Sequence, residues 1–388
     1  MEKAYKYRIY PDADQESLLR QTLGCVRLVY NKALYERTNA WYEKQERISY
    51  KQTSSMLTSW KKEDELRFLN DVSSVPLQQS LRHLQTAFTN FFAGRAKYPN
   101  FKKKVNRNSA EFTKSAFKYR DGQIYLAKCK NPLNIKWSRR LPAHCEPSTV
   151  TVSLDPAGRW HIAIRFDDTW VTQYPKTDKA IGIDLGISSL LITSDAEKIT
   201  NPKLLKRYYR KLRMAQKNLS RKQKGSKNTD KARRKVAKIH AKITDARKDH
   251  LHKITTKLVR ENQTIVTEDL AVKNMVKNHK LAQAISDASW SELTRQLEYK
   301  CQWYGREYIK IDRFFPSSKR CSECGYVMDK MPLNIREWQC PECGTNHDRD
   351  INASKNILAV GLTVSVCGAS IRPEQGKSVR ATAKKQKT

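Results

Sequence analysis

Apolar and polar residues alternate at the start of the chain. Tyr5, Tyr7 and Ile9 fall on one face and Lys6 and Arg8 on the other, the two-residue period of a half-exposed strand. Pro11 and Asp12 end it, and Asp14 is placed to cap a following helix. From 15 to 40 the period lengthens. Leu19, Leu23, Val26, Tyr30 and Ala33 recur at steps of three and four, which predicts a helix with one apolar face. Leu77, Leu81, Leu84, Phe88 and Phe91 repeat that spacing in a second long helix, and a shorter helix is expected between them, around Gln52 to Leu66. These helices define a helical domain over residues 11–105. The two-residue period then returns. Phe117 to Arg120 and Gln123 to Leu126 flank Asp121-Gly122, a hairpin signal. Val150, Val152 and Leu154 lead into the turn Asp155-Pro156-Ala157-Gly158, and Trp160, Ile162, Ile164 and Phe166 alternate beyond it. With the N-terminal strand these could close a small β-barrel made of residues 1–10 and 106–175, the helical domain being inserted between its first strand and the rest.

After Pro175 the strands become continuously apolar. Ala180 to Asp184 reads as a buried strand, Ser189 to Thr193 as its antiparallel neighbour, and Thr264 to Thr267 as a further buried strand ending at Glu268. Residues 203–260 have helical composition broken near Gly225-Ser226, which predicts two long antiparallel helices. Residues 284–305 read as another helix, with Ile285, Trp290, Leu293, Leu297 and Tyr304 on its apolar side, and Tyr308 to Ile311 as a strand. The fold class is therefore multidomain α+β, and residues 367–388, polar and basic, read as a disordered tail.

Charge narrows the function. The 388 residues carry 75 Lys and Arg against 39 Asp and Glu, a formal net charge of +36. A compact fold with that charge repels itself unless a polyanion compensates, and nucleic acid is the obvious one; a ribosome-associated or membrane-surface protein is the alternative. The segment Arg95, Lys97, Tyr98, Phe101, Lys102, Lys103 and Lys104 interleaves cations with rings, as phosphate contact plus base stacking requires, or else forms a solvated linker with aromatic anchors. No apolar stretch is long enough to span a bilayer and the N-terminus has no apolar signal core, so a cytoplasmic location is expected.

Nine cysteines include two Cys-x-x-Cys pairs, Cys321/Cys324 and Cys340/Cys343, each followed by glycine, while Cys25, Cys129, Cys145, Cys301 and Cys367 are scattered. Four thiolates so spaced predict one closed, tetrahedral, structural Zn²⁺ site in residues 321–346. His347 is not needed as a ligand, since four sulfurs complete the shell.

Acidic residues are scarce, so carboxylates at the ends of buried strands need a reason. Asp184 lies within Ile-Gly-Ile-Asp-Leu-Gly, Glu268 ends Ile-Val-Thr-Glu, and Asp350 opens the amphipathic stretch Asp-Ile-Asn-Ala-Ser-Lys-Asn-Ile-Leu. If the two strands are parallel neighbours, their ends bring Asp184 and Glu268 together and the helix delivers Asp350. Three such carboxylates suit two Mg²⁺ (or Mn²⁺) ions that clamp a scissile phosphate, the chemistry of an RNase H-like nuclease. The first motif is also that of a phosphate-binding strand in sugar kinases and chaperone ATPases, but those need further glycine-rich loops, which a chain with 13 glycines does not supply. The zinc module falls between Glu268 and Asp350, so loss of zinc is expected to impair cleavage.

In this order the pieces resemble the TnpB (OrfB) family of insertion-sequence proteins, relatives of the type V CRISPR effectors. The stretches that carry the resemblance include Tyr-Lys-Tyr-Arg-Ile-Tyr-Pro at 5–11, Lys-Tyr-Pro-Asn-Phe-Lys-Lys-Lys at 97–104 and Gly-Ile-Asp-Leu-Gly at 182–186. Phe-Phe-Pro-Ser-Ser-Lys-Arg-Cys at 314–321 and His-Asp-Arg-Asp-Ile-Asn-Ala-Ser-Lys-Asn-Ile-Leu at 347–358 extend it. The resemblance implies a RuvC-like nuclease over 176–320 and 347–366, interrupted by the zinc finger, and a β-barrel wedge carrying a helical recognition domain. It also implies a guide RNA from the transposon end and cleavage of double-stranded DNA beside a short transposon-associated motif, with Asp184, Glu268 and Asp350 as the catalytic carboxylates. Ser354 stands where the family usually has Ala. Gln78 and Gln79 lie off the apolar face of their helix and are candidates to meet bases of the motif duplex, or are simply surface glutamines. The alternative is a nuclease-silent RNA-guided regulator or an accessory transposition protein; the former would be expected to have lost a carboxylate.

Overall fold

The structure is a computed structural model that describes residues 1–366, apart from 105–107, 169, 171–172 and 333. The expected tail at 367–388, Cys367 and the boundary expected at 105/106 lie outside the described residues. The chain forms two compact units, one of Met1–Val171 with Lys211–Lys242, the other of Thr172–Arg210 with the chain from Ile243 onward.

The first unit contains β1 (Glu2–Ile9), α1 (Ala13–Lys44), α2 (Tyr50–Trp60), α3 (Ser74–Phe92), β2 (Asn108–Thr113), β3 (Phe117–Arg120), β4 (Gln123–Leu126), β5 (Ile135–Lys136), β6 (Pro147–Leu154) and β7 (Trp160–Asp167). Five of the strands form an antiparallel sheet in the order β2-β6-β7-β1-β5, and β3 and β4 pair as a hairpin. Among the described residues no ladder joins β2 to β5, so the hydrogen-bonded sheet is open where the alternation alone suggests a closed barrel. Alternation buries Tyr7 and Ile9, as their period requires, together with Leu19, Leu77, Leu84, Val150 and Ile162 in one apolar cluster.

Two local expectations are corrected. The cap of α1 is Asp12, not Asp14. Asp12 has extended backbone, its Oδ1 accepts the Gln15 N–H at 2.8 Å, and Gln15 Oε1 accepts the Asp12 N–H in return. Asp14 sits in the first turn, where its charge still suits the helix dipole. The middle helix ends at Trp60, and Leu66 belongs to a separate 3₁₀ helix at Asp64–Asn70.

Next come β8 (Ala180–Asp184), β9 (Ser189–Thr193), β10 (Lys198–Thr200), α4 (Leu204–Ser220), α5 (Lys227–Glu261), β11 (Thr264–Glu268), α6 (Val272–Met275), α7 (Ala282–Ala288), α8 (Trp290–Tyr304), β12 (Glu307–Ile311), β13 (Glu337–Gln339), β14 (Asn346–Asp348) and α9 (Arg349–Val366). Residues 211–242, the ends of α4 and α5 around their connection, belong to the first unit. The helix expected over 284–305 is interrupted at Ser289, whose left-handed backbone (φ 55°) separates α7 from α8.

The second unit is organised around a mixed sheet in the order β10-β9-β8-β11-β12, with β8, β11 and β12 parallel and β9 and β10 antiparallel. Its faces are covered by different helices. Ile265 packs with Leu258 of α5 and Leu293 of α8, whereas the next residue, Val266, packs with Ile357 of α9. Gly182 makes the second packing possible: a Cβ there would lie 2.2 Å from the Ser354 carbonyl, so α9 rests directly on the backbone of β8. The unusual Ser354 is fully buried and satisfies its hydroxyl within the helix, on the Ile351 carbonyl at 2.8 Å.

Candidate active site and metal centre

Strand register brings the first two carboxylates side by side. The parallel ladder of β8 and β11 runs to Ile183 opposite Thr267, so Asp184 and Glu268 follow at the same ends of adjacent strands. The third arrives with α9, where Asp350 lies in the first turn. That helix start is fixed by Asp348, whose Oδ1 accepts the N–H groups of Asp350 (3.1 Å) and Ile351 (3.0 Å) and whose Oδ2 pairs with Lys198 at 2.6 Å.

Two of the charges act on the third. Asp184 is pushed up to about 7, by burial first and then by the negative charges of Glu268 and Asp350. Burial also raises Glu268, against the pull of the Ser317 hydroxyl, which donates to Glu268 Oε1 at 2.6 Å. Among the described residues neither Asp184 nor Glu268 has an ion pair, while Arg336 Nη1 lies 3.4 Å from both oxygens of Asp350. Half-buried carboxylate oxygens that lack an ion pair are a donor set a hard divalent cation takes. A cavity of about 360 Å³ opens beside Glu268, lined also by Asp269, Trp290, Arg295, Glu298 and Lys310.

The cysteines converge more locally. All four sulfurs lie within 4.8 Å of one another, with Cys321–Cys343 at 3.7 Å and Cys324–Cys340 at 3.6 Å. A tetrahedral ion with bonds of about 2.3 Å spaces its sulfurs by about 3.8 Å, so the four thiols could hold one metal. Each Cys-x-x-Cys turn closes with a glycine N–H on the first cysteine's carbonyl, Gly325 on Cys321 and Gly344 on Cys340, both at positive φ. His347 lies on β14; its ring packs on Trp338 and its Nε2 is 3.0 Å from Cys321 Sγ. A second group of ligand-type side chains, His144, Cys145 and Asp168, belongs to the first unit. There Lys3 Nζ sits 2.8 Å from Asp168, so an ammonium occupies the place a metal would take.

The candidate nucleic-acid residues divide. Tyr98 packs edge-on against Phe88 and Phe91 and its hydroxyl meets Thr38 at 2.7 Å; Lys102 lies over the Tyr30 ring at 4.0 Å and its main chain exchanges two hydrogen bonds with Asn31. Both anchor the segment. Both remain exposed, as are Lys97, Phe101, Lys103 and Lys104; Gln78 is exposed and Gln79 half-buried on α3. On α4, Lys206, Arg207, Arg210, Lys211, Arg213 and Lys217 are all exposed. Sequence reasoning passes over Ser317, Arg336 and Asp348. Only Asp348 carries a local signal, an acidic residue directly before a helix start.

Comparison with known proteins agrees with this architecture. Residues 157–279 match the family model OrfB_IS605, described as "Probable transposase", and residues 290–357 match the Cas12f1-like TNB domain. Residues 1–46 match a model described as a helix-turn-helix domain, although here they form β1 and the single helix α1. A protein of Streptomyces pristinaespiralis is 60% identical over 379 residues, 97% of this chain and 94% of its own length. InsQ of Escherichia coli K12 is 31% identical over 403 residues, 98% of this chain and 99% of its own. Both bear the name "Putative RNA-guided DNA endonuclease". Among solved structures, the Cas12f1 chain of a Cas12f1–sgRNA–target DNA complex superposes with a TM-score of 0.58 at 15% identity, over 92% of this chain and 98% of that one. The mini-RNA-guided endonuclease CRISPR-Cas_phi3 does so with 0.51 at 9% identity, over 93% and 92%. At such identities the likeness is one of fold, that of the multidomain α+β effectors with a RuvC-type core. The chain belongs to the OrfB family of insertion-sequence proteins, the TnpB-like group.

Proposed function

We propose that this protein is an RNA-guided DNA endonuclease that hydrolyses phosphodiester bonds at Asp184, Glu268 and Asp350. The observation that carries the reading is the gathering of these three carboxylates, from β8, β11 and α9, closely enough that two of the charges help burial hold the third up to about 7. The names of the near-full-length relatives supply the guide RNA and the DNA target. The carboxylates would hold two Mg²⁺ ions, which when bound activate water and stabilise the leaving oxygen. The chain's own part is to aim these oxygens, through strand register for Asp184 and Glu268 and through the Asp348 cap for Asp350. Cys321, Cys324, Cys340 and Cys343 hold one structural Zn²⁺. Residues 1–10 and 106–175 serve as the wedge, 11–105 as the recognition domain, and 176–320 with 347–366 as the nuclease around the finger at 321–346. The guide derives from the transposon end, cleavage falls beside a short adjacent motif in double-stranded DNA, and the exposed cations of α4 and of 97–104 line the path of the two nucleic acids.

The test is expression of the chain with its flanking DNA, sequencing of the RNA that co-purifies, and challenge of a plasmid library with Mg²⁺. Enrichment of a transposon-end RNA and cutting at guide-matched sites are expected. No RNA and no cutting would refute guidance, and cutting that survives Asp184→Ala would refute the site.

A further inference from the structure

Glu268 has an outer partner that ties it to the cysteine centre. The donor to its Oε1 is the hydroxyl of Ser317, a residue only 5% exposed. Ser317 lies in the loop that leads into the first metal-binding cysteine, and that loop is gripped by two buried asparagines of α9. Asn356 Nδ2 donates to the carbonyls of Ser317 (2.9 Å) and Arg320 (2.6 Å). Asn352 Nδ2 donates to the Arg320 carbonyl at 2.7 Å, and its Oδ1 accepts the Ser322 N–H at 2.9 Å. The asparagines are four residues apart and so share a helix face, and they are 1% and 4% exposed. One helix therefore carries Asp350 in its first turn and, two and six residues on, clamps the loop that bears Ser317 and Cys321.

We propose that Ser317 is a positioning residue for Glu268, held in register by the Asn352 and Asn356 clamp. Resting on the assignment of Glu268 as a metal ligand, this deepens that reading. A carboxylate free to rotate presents its oxygens to a cation in many orientations. With Oε1 engaged by a fixed hydroxyl, the side chain keeps one orientation, and outer partners of this kind set metal affinity by about 10- to 100-fold. The arrangement also gives the cysteine centre a route to the carboxylates, because the residues from Ser317 to Ser322 are held as one piece.

The test uses the full chain with its co-purified RNA and zinc, titrated with Mn²⁺ while free Mn²⁺ is followed by electron paramagnetic resonance. The Asp184→Ala complex, carrying the same RNA, subtracts ions held by the RNA. Ser317→Ala is expected to weaken site-bound Mn²⁺ by about 10-fold, with zinc content unchanged. Ser317→Thr, which keeps the hydroxyl, is expected to restore it to within about 2-fold, and Ser317→Ala is expected to add nothing in a Glu268→Ala background. Wild-type Mn²⁺ affinity in Ser317→Ala, or equal weakness in Ser317→Thr, would overturn the proposal. If Asp184→Ala itself bound as many ions as wild type, the carboxylate site would fall and the proposal with it. A normal loss in Asp184→Ala beside an unaltered Ser317→Ala would overturn the positioning role alone.

Discussion

The carboxylate site and the cysteine site lie in the same unit and are built in opposite ways. The cysteines come from two turns of the same design, each closed by its own glycine, and only one separation, between residues 324 and 340, has to be spanned. The carboxylates come from residues 184, 268 and 350 and meet only if a parallel ladder has the right register and a helix lies flat on it. A metal at the first site would stabilise a segment with a minimal apolar core, Met331 and Trp338 beside the sulfurs. The second site is made against the preference of its own charges, since half-buried Asp184 faces the negative charges of Glu268 and Asp350, which Arg349 only partly offsets. The comparison separates a site that a metal would help to fold from a site that the fold itself brings together.

The largest expected effect is on the second site. Asp184→Asn should reduce cleavage by well over about 100-fold, more than the loss of an outer partner costs, and plasmid cutting by the RNA-bound protein measures it. The same substitution should stabilise the protein in Mg²⁺-free buffer at neutral pH. The folded protein holds this group up to about 7, above its ordinary 3.8. Its contribution to stability is therefore full below pH 4 and is lost as pH rises toward 7, by about 1.4 kcal/mol for each pH step between those two values. Melting curves from pH 5 to 8 should slope downward for the wild type and flatten in Asp184→Asn. A wild-type slope in the variant would mean that the carboxylates are not forced together.

Next comes Cys321→Ser. Structural Zn²⁺ in such modules binds with about 10–16 kcal/mol, which is folding energy for the segment. Elemental analysis should show zinc falling from one per chain to none, and cleavage should fall with it. Full cleavage in this variant under chelation would show the two sites to be independent.

Gly182→Ala tests the packing that delivers Asp350. Overpacking ordinarily costs about 1–3 kcal/mol, and a Cβ 2.2 Å from the Ser354 carbonyl should reach the upper end. The melting point should drop and cleavage with it, while zinc content stays at one. Arg336→Gln should do least. Its contact with Asp350 is 3.4 Å and its side chain is 59% exposed, so the pair is worth about 0.2–1 kcal/mol. The Mg²⁺ concentration for half-maximal cutting is the readout, and an unchanged value would leave the Ser317 loop as the polar route between the two sites.

Local patterns are the legible part of the chain. Strand alternation marks β1, β6 and β7, the Asp-Gly hairpin forms where its signal lies, and the three carboxylates and four cysteines can be named because scarce charge and fixed spacing single them out. Local detail fails where neighbours of similar chemistry compete, as with Asp12 and Asp14 at the first cap, or where one residue adopts a rare backbone, as Ser289 does. The aromatic and basic segment at 97–104 reads as one binding surface; the structure adds that two of its exposed residues also hold the segment down, Tyr98 against the nearby Phe88 and Phe91 and Lys102 against the distant Tyr30.

By itself, then, the sequence determined the charge, the cysteine turns, the candidate carboxylates and the order of the elements, because each is written in composition or in spacing over a few residues. Only the tertiary structure decided that, among the described residues, no ladder joins β2 to β5, and that Gly182 lets α9 lie on β8. It alone showed that a serine and two asparagines connect Glu268 to the loop of Cys321. Those are contacts between segments tens of residues apart, and no periodicity along a chain encodes a partner that only packing brings near.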